Sequence, residues 1–286
     1  NAFTTKPSET HFQPGDTYYN LGEKNGSVTL EAEWEPINYE VYFKGNGGQS
    51  DEYGEDYSQQ FTYDKSEKLT ANRFKRTGYI FKGWNTQKDG SGKNYTDEQE
   101  VKNLLSEADT GIVFYAQWEP IQYKVTFDTN GGSGSMKNQP FTYDISQNLT
   151  KNTLTRTGYE FIGWGVSPTG GVTFDDEQEV KNLTSIDDEL VNLYAYWDPI
   201  IYKVNYDGNG ADQKNIIKTS LIYDKTYNLV KNTYTKEGYV FNGWNTQKDG
   251  HGTHYDDEQE VKNLTSIDDE LVTLYAEWKP ISYTIK

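Results

Sequence analysis

Apolar and polar residues alternate with period two in short runs along the chain, and the same runs return at a fixed distance. Tyr123-Lys-Val-Thr-Phe127 alternates as a half-buried strand does and stops at Asn130-Gly131, a pair that supplies positive φ cheaply and predicts a hairpin-type turn. A second short strand is predicted near Pro140 to Tyr143, followed by a polar connection through Leu149 and Leu154. Gly158-Tyr-Glu-Phe-Ile-Gly-Trp164 alternates again, which assigns Tyr159, Phe161 and Gly163 to one face and Glu160, Ile162 and Trp164 to the other. Leu190 to Trp197 closes the unit as a strand that ends before Pro199.

Between the last two strands the pattern changes. Asp175 stands three residues before Gln178, as Thr96 does before Gln99 and Asp256 before Gln259, which is the spacing of a capping box. Val180 and Leu183 then fall on one helical face, so a short helix is predicted there, held by packing because so few residues make a marginal helix alone. The expected unit is α+β, with three or four strands and one short helix.

The repeat sets the organisation. Trp-x-Pro-Ile recurs at Trp34, Trp118, Trp197 and Trp278, in steps of 84, 79 and 81 residues, and Gly-Tyr-x-Phe-x-Gly-Trp recurs with Trp84, Trp164 and Trp244 spaced 80 apart. The block Asp-Glu-Gln-Glu-Val-Lys-Asn-Leu starts at Asp97, Asp176 and Asp257. These registers predict repeats at 38–119, 120–198 and 199–279. Residues 1–37 align with the C-terminal half of a repeat, placing Phe12 with Tyr95 and Leu21 with Leu104; residues 280–286 read as the first strand of another. That half repeat is expected to be completed by another chain or by upstream sequence. Junctions of only a few residues, each with a Pro, predict limited bending between units.

Composition narrows the function. The net charge is −17, with 44 acidic against 27 basic residues, which argues against nucleic acid and anionic membranes as partners. No run approaches a membrane span, and the absence of Cys removes disulfides, thiolate metal sites and a cysteine nucleophile. The 24 Tyr, 12 Phe and 7 Trp favour strands and compensate for the thin core of a unit of this size.

Taken together, Gly-Tyr-x-Phe-x-Gly-Trp, a Gly-containing loop and Leu-Tyr-Ala-x-Trp-x-Pro resemble the Listeria-Bacteroides repeat, or internalin B-repeat, across essentially the whole chain. The resemblance implies tandem small β-grasp, ubiquitin-like modules of secreted or surface-anchored bacterial proteins, extracellular and without enzyme activity. It implies a stalk or spacer whose partners are neighbouring repeats, with a host-surface protein or glycan as the alternative partner of an adhesive module. The second copy departs from the others at Gly165-Val-Ser-Pro168, where they have Asn-Thr-Gln-Lys.

Each chemical motif has a plainer structural reading. Trp84, Trp164 and Trp244 could stack on sugars, but repetition at fixed spacing with Trp118, Trp197 and Trp278 favours a structural core, shared with Tyr79, Phe81, Tyr159, Phe161, Tyr239 and Phe241. The loops after the Gly-Trp pairs are the candidate ligand sites: Asn85 and Lys88, then Asn245, Lys248, His251 and His254. The two histidines have metal-like spacing with Asp249 or Asp256, yet Ser91 and Asn94 stand in their places in the first copy, so a drifted surface loop is the preferred reading. Asp128-x-Asn130 and Asp207-x-Asn209 open like calcium loops but lack the closing Glu, and read as turns. No catalytic constellation or cofactor motif stands apart from the repeat.

Overall fold

In the computed structural model the described residues are 24–285 together with Gly15 and Thr17. Most of the half repeat at 1–37 therefore lies outside the described residues. Residues 26–37 form no strand, and Trp34 is 89% exposed.

The first module comprises β1 (Asn38–Lys44), β2 (Asp56–Thr62), β3 (Glu67–Lys68), β4 (Tyr79–Asn85), β5 (Asn94–Tyr95), β6 (Glu100–Val101) and β7 (Gly111–Pro120). The second has β8 (Gln122–Asp128), β9 (Gln139–Thr142), β10 (Gln147–Asn148), β11 (Tyr159–Gly165), β12 (Glu179–Val180) and β13 (Leu190–Pro199). The third has β14 (Ile201–Asp207), β15 (Ile217–Ile222), β16 (Tyr227–Asn228), β17 (Tyr239–Asn245), β18 (His254–Tyr255), β19 (Glu260–Val261) and β20 (Leu271–Pro280).

Each module is a mixed sheet, ordered β2-β1-β7-β4-β5 in the first and β15-β14-β20-β17-β18 in the third. The first and last strands of a module lie parallel at its centre, as in Phe43 beside Phe114, and all other pairings are antiparallel. The main sheet of the second module has four strands, ordered β11-β13-β8-β9, and a single bridge from Trp164 to Phe174 stands where the fifth would pair. One sheet face carries the core: Tyr39, Val41 and Phe43 of β1 meet Phe114 and Ala116 of β7, and Leu69, Phe74 and Val101 cover them. The other two modules bury equivalent clusters, so the described residues hold three separate cores.

The α+β expectation, with a helix in each β-grasp unit, is corrected: the described residues contain no helix and the fold is all-β. The reason lies in the motif that predicted the helix. The Gln99 side chain does accept the Thr96 backbone N–H at 2.9 Å, and Gln178 and Gln259 do the same for Asp175 and Asp256. The chain then turns instead of winding on, because Glu98, Glu177 and Glu258 take positive φ (53°, 57° and 58°), which ends a right-handed helix. The following Glu-Val pair adds to a two-residue ribbon, β3 with β6 in the first module, and its valine enters the core.

The second correction concerns the Gly-Trp strand. A β-bulge between Phe161 and Gly163 slips the register, and Gly163 supplies the positive φ of 141° that the bulge needs. Trp164 is thereby moved onto the face of Phe161, while Ile162 points outward. The same bulge stands at Gly83 and Gly243.

Candidate functional site

Trp84, Trp164 and Trp244 are 1%, 0% and 0% exposed and present no face to a ligand. Each sits edge-on to the phenylalanine of its own strand, about 5 Å away, and that phenylalanine packs edge-on against the second tryptophan, Trp118, Trp197 or Trp278. The second tryptophans are half-buried and donate their indole N–H groups to Gly45, Thr129 and Gly208 carbonyls at 2.8, 2.9 and 3.0 Å. The first set has no such partner for Nε1.

The candidate loops are anchored from within. Asn85 is buried, donates from Nδ2 to the Gly90 and Gly92 carbonyls at 3.0 and 3.1 Å, and accepts the Gln87 and Gly92 N–H groups on Oδ1. Asn245 repeats this pattern with Gly250, Gly252 and Gln247. From the first hairpin turn, Asn46 donates to the Lys88 carbonyl at 3.1 Å and Asn209 to that of Lys248 at 3.0 Å. Asn85 and Asn245 are buried, while Lys88, Lys248, His251, His254 and most other side chains of the two loops face solvent.

The second copy reaches the same loop by other means. Gly165 replaces the asparagine, and a Cβ there would lie 2.3 Å from the Tyr196 ring. Tyr196 fills the vacated space, accepts the Gly171 N–H at 2.7 Å and donates to the Ser167 carbonyl at 2.9 Å. Its counterparts are Gln117 and Glu277, so residue 165 and residue 196 have changed together.

In the third copy, His254 Nδ1 contacts Glu277, whose other oxygen accepts from Asn245 at 3.0 Å. His251 lies 3.3 Å from Asp249 on an exposed tip. Among the described residues no three His, Cys, Asp or Glu side chains group as metal ligands would.

The site that sequence reasoning missed is the contact between modules. At the first junction Ile121 donates its N–H to the Gly78 carbonyl and accepts the Tyr143 N–H on its own carbonyl, both at 3.0 Å. Tyr143 packs on Gly78 so closely that a Cβ would come within 2.3 Å of its ring. The Tyr79 hydroxyl then donates to Asp144 Oδ2 at 2.8 Å. The second junction repeats every contact: Ile200 with Gly158 and Tyr223, and Tyr159 with Asp224 at 2.8 Å.

Each aspartate is held by its own module before the neighbour arrives. Asn182 accepts the Asp144 N–H at 2.7 Å and donates to Oδ1 at 3.0 Å, with Lys181 at 3.3 Å. Asn263 and Lys262 do the same for Asp224. Hydrogen bonds from Asn182 and then Tyr79 hold the Asp144 carboxyl below the usual carboxylate range, and those from Asn263, Tyr159 and Lys262 bring Asp224 to about 2. The carboxylate in turn raises the phenols of Tyr79 and Tyr159. On the other side, Arg76 and Arg156 lie over the Tyr79 and Tyr159 rings at 3.6 and 3.8 Å. The repeated Tyr-Asp at 63–64, 143–144 and 223–224 and the Lys-Asn within the acidic block were the legible signals of this contact.

Three modules with one fold, one core plan and one joint define a tandem all-β repeat protein. The chain belongs to the Listeria-Bacteroides repeat domain family, whose profile matches residues 39–117, 123–195 and 202–277. It is 32% identical over 216 residues to a protein of Evansella cellulosilytica described as a Gly-rich membrane protein, covering 73% of this chain and 23% of that one. A second membrane protein of the same organism is 30% identical over 263 residues, covering 88% and 34%. Internalin H of Listeria monocytogenes is 33% identical over 104 residues, covering 35% and 16%. The chain thus spans about a third or less of the length of these relatives. Among solved structures it is similar to the Bacillus anthracis TIE protein, with 9% identity and a TM-score of 0.34 over 86% of this chain and 51% of that one.

Proposed function

We propose that the chain is a non-enzymatic spacer segment of a bacterial cell-surface protein, which sets a distance between whatever lies on either side of it. The observation that carries this reading is the joint: Ile121 and Ile200 are buried, and the Tyr79–Asp144 and Tyr159–Asp224 bonds have the same length. Matching joints between modules of one fold add a constant increment per module, which is what a spacer requires. A compact module of this size contributes about 30 Å. The surface setting is supported by relatives that include an internalin and two proteins described as membrane proteins. The negative charge favours solubility and mutual repulsion at such a surface.

The experiment is removal of residues 120–198, which keeps the joint because Ile200, Tyr223 and Asp224 then meet Gly78 and Tyr79. The maximum dimension from small-angle X-ray scattering should fall by about one module, roughly 30 Å. An unchanged dimension would defeat the spacer reading.

A further inference from the structure

The groove over the Gly-Trp bulge is covered by a side chain in two modules and left open in one. Over Gly163 lies Val172, whose Cγ1 a Cβ on the glycine would meet at 2.6 Å, and over Gly243 lies His254, whose Cε1 it would meet at 2.5 Å. Over Gly83 the three nearest atoms are backbone atoms of Tyr95 and Thr96, and no side chain comes as near. A groove of about 340 Å³ stands there instead, with Lys82, Gly83, Asn94, Thr96, Gln99 and Gln117 in its lining. The difference follows from substitution. His254 is held over its glycine by Glu277 on one side and by Asp256, at 3.4 Å, on the other. In the first copy these three positions are the shorter Asn94 and the uncharged Gln117 and Thr96.

The open groove is polar but carries no free charge, because Lys82 is paired with Glu119 at 2.8 Å. Its amides are oriented by the fold. Asn94 Oδ1 accepts from Asn85 at 2.6 Å and Gln99 Oε1 accepts the Thr96 N–H at 2.9 Å, so each side chain keeps its NH₂ group as a donor. Gln117 donates from Nε2 to the Tyr115 carbonyl at 3.2 Å and keeps Oε1 as an acceptor, while the Thr96 hydroxyl can act either way. Fixed donors and acceptors side by side, without net charge, match vicinal hydroxyls, each of which donates one hydrogen bond and accepts others. An anion finds no free counter-charge, and the volume falls within the range of small-molecule sites.

We propose that the groove over Gly83 binds a neutral pyranose, whose hydroxyls bond to Asn94, Gln99 and Gln117, and that Val172 and His254 cover the same site in the other two modules. Trp84 takes no part by stacking, since it is buried. The site goes beyond the spacer reading and does not depend on it, because it needs only the fold of the first module.

Titration of the 286-residue chain with neutral methyl pyranosides of gluco, galacto and manno configuration tests this, followed by the side-chain amide resonances of Asn94, Gln99 and Gln117. At least one should give saturable shifts at about millimolar concentration, as roughly a dozen ligand heavy atoms in an open groove allow, with Gln178 and Gln259 static. A neutral tetrasaccharide run beside them tells a free sugar from a unit of a longer glycan by which binds tighter, and saturable binding of either supports the site. Asn94→His with Gln117→Glu installs the third module's pair and gives Asn85 the carboxylate partner that Asn245 has; it should weaken binding about tenfold or more. The reverse exchange, His254→Asn with Asp256→Thr and Glu277→Gln, should open a second site, read as new shifts at Gln259. If the first exchange unfolds its module, seen as collapse of the Trp84 indole resonance, the second decides alone. Absence of saturable shifts with every sugar, equal shifts in all three modules, saturable binding of acetate, or sugar binding unchanged by the exchange in a folded first module would overturn the proposal.

Discussion

Replacing Trp164 by Phe and by Ala separates two contributions that the core holds together. Trp164 is fully buried between the Phe127 and Phe161 rings, at 4.8 and 4.9 Å, and its Nε1 has no hydrogen-bond partner. Trp164→Ala leaves a large void and should cost about 3–5 kcal/mol. Trp164→Phe removes apolar volume equivalent to roughly two methylenes, about 1.6 kcal/mol. It also removes a buried, unpaired donor whose desolvation costs about 1–3 kcal/mol. The two nearly cancel, so the Phe variant should lie within about 1 kcal/mol of the parent. A module of this size has a stability of about 4–12 kcal/mol. With a urea slope of about 1 kcal/mol/M, the Ala variant should lower the midpoint of its module by about 3 M or more and the Phe variant by about 1 M or less. Amide resonances followed through the titration assign each transition to its module. A Phe variant nearly as unstable as the Ala variant would refute the reasoning, because it would mean that the indole N–H is satisfied in the folded protein.

Two further outcomes follow from the joint and the loops. Asp224 is depressed to about 2 in the folded chain, so its contribution is present above the ordinary carboxylate value near 4 and is lost as pH falls from about 4 towards 2. Tyr159 is raised, so its contribution is complete below about 10 and is lost only as pH climbs past its elevated value. Inter-module residual dipolar couplings should therefore be constant from about pH 4 to 10, and a loosening near pH 6 would contradict this assignment. Asn85→Ala strands the Gly90 and Gly92 backbone groups and should cost about 1–3 kcal/mol with faster amide exchange across residues 86–93, whereas in the second copy the same loosening should come from Tyr196→Phe.

The strands were legible where one face meets a core and the other meets water. Tyr123, Val125 and Phe127 alternate in the sequence and line one face in the structure, and the same is true of the closing strands. The Gly-Trp strand misled because a bulge adds one residue and no simple period contains it; Gly163 was visible, but its φ was not. The helix misled because a capping box is a contact over four residues, and a tight turn satisfies it equally well. Val101 and Leu104 have helical spacing, yet Val101 reaches the core from a two-residue ribbon and Leu104 packs beside it after its N–H meets the Tyr39 hydroxyl at 3.2 Å. Of the joint only the repeated Tyr-Asp and Lys-Asn pairs were legible, and not what they meet: the partners stand 65 residues apart, and only the fold brings Tyr79 to Asp144.

Every full module carries both halves of the joint, as the second does with Tyr143–Asp144 at one end and Gly158–Tyr159 at the other. A gene segment of one period can therefore be duplicated or lost by unequal recombination at any point within the period, and the new junction still matches. Array length can thus vary between strains without any compensating substitution, while an exchange that shifts the period breaks a joint and exposes an isoleucine to selection.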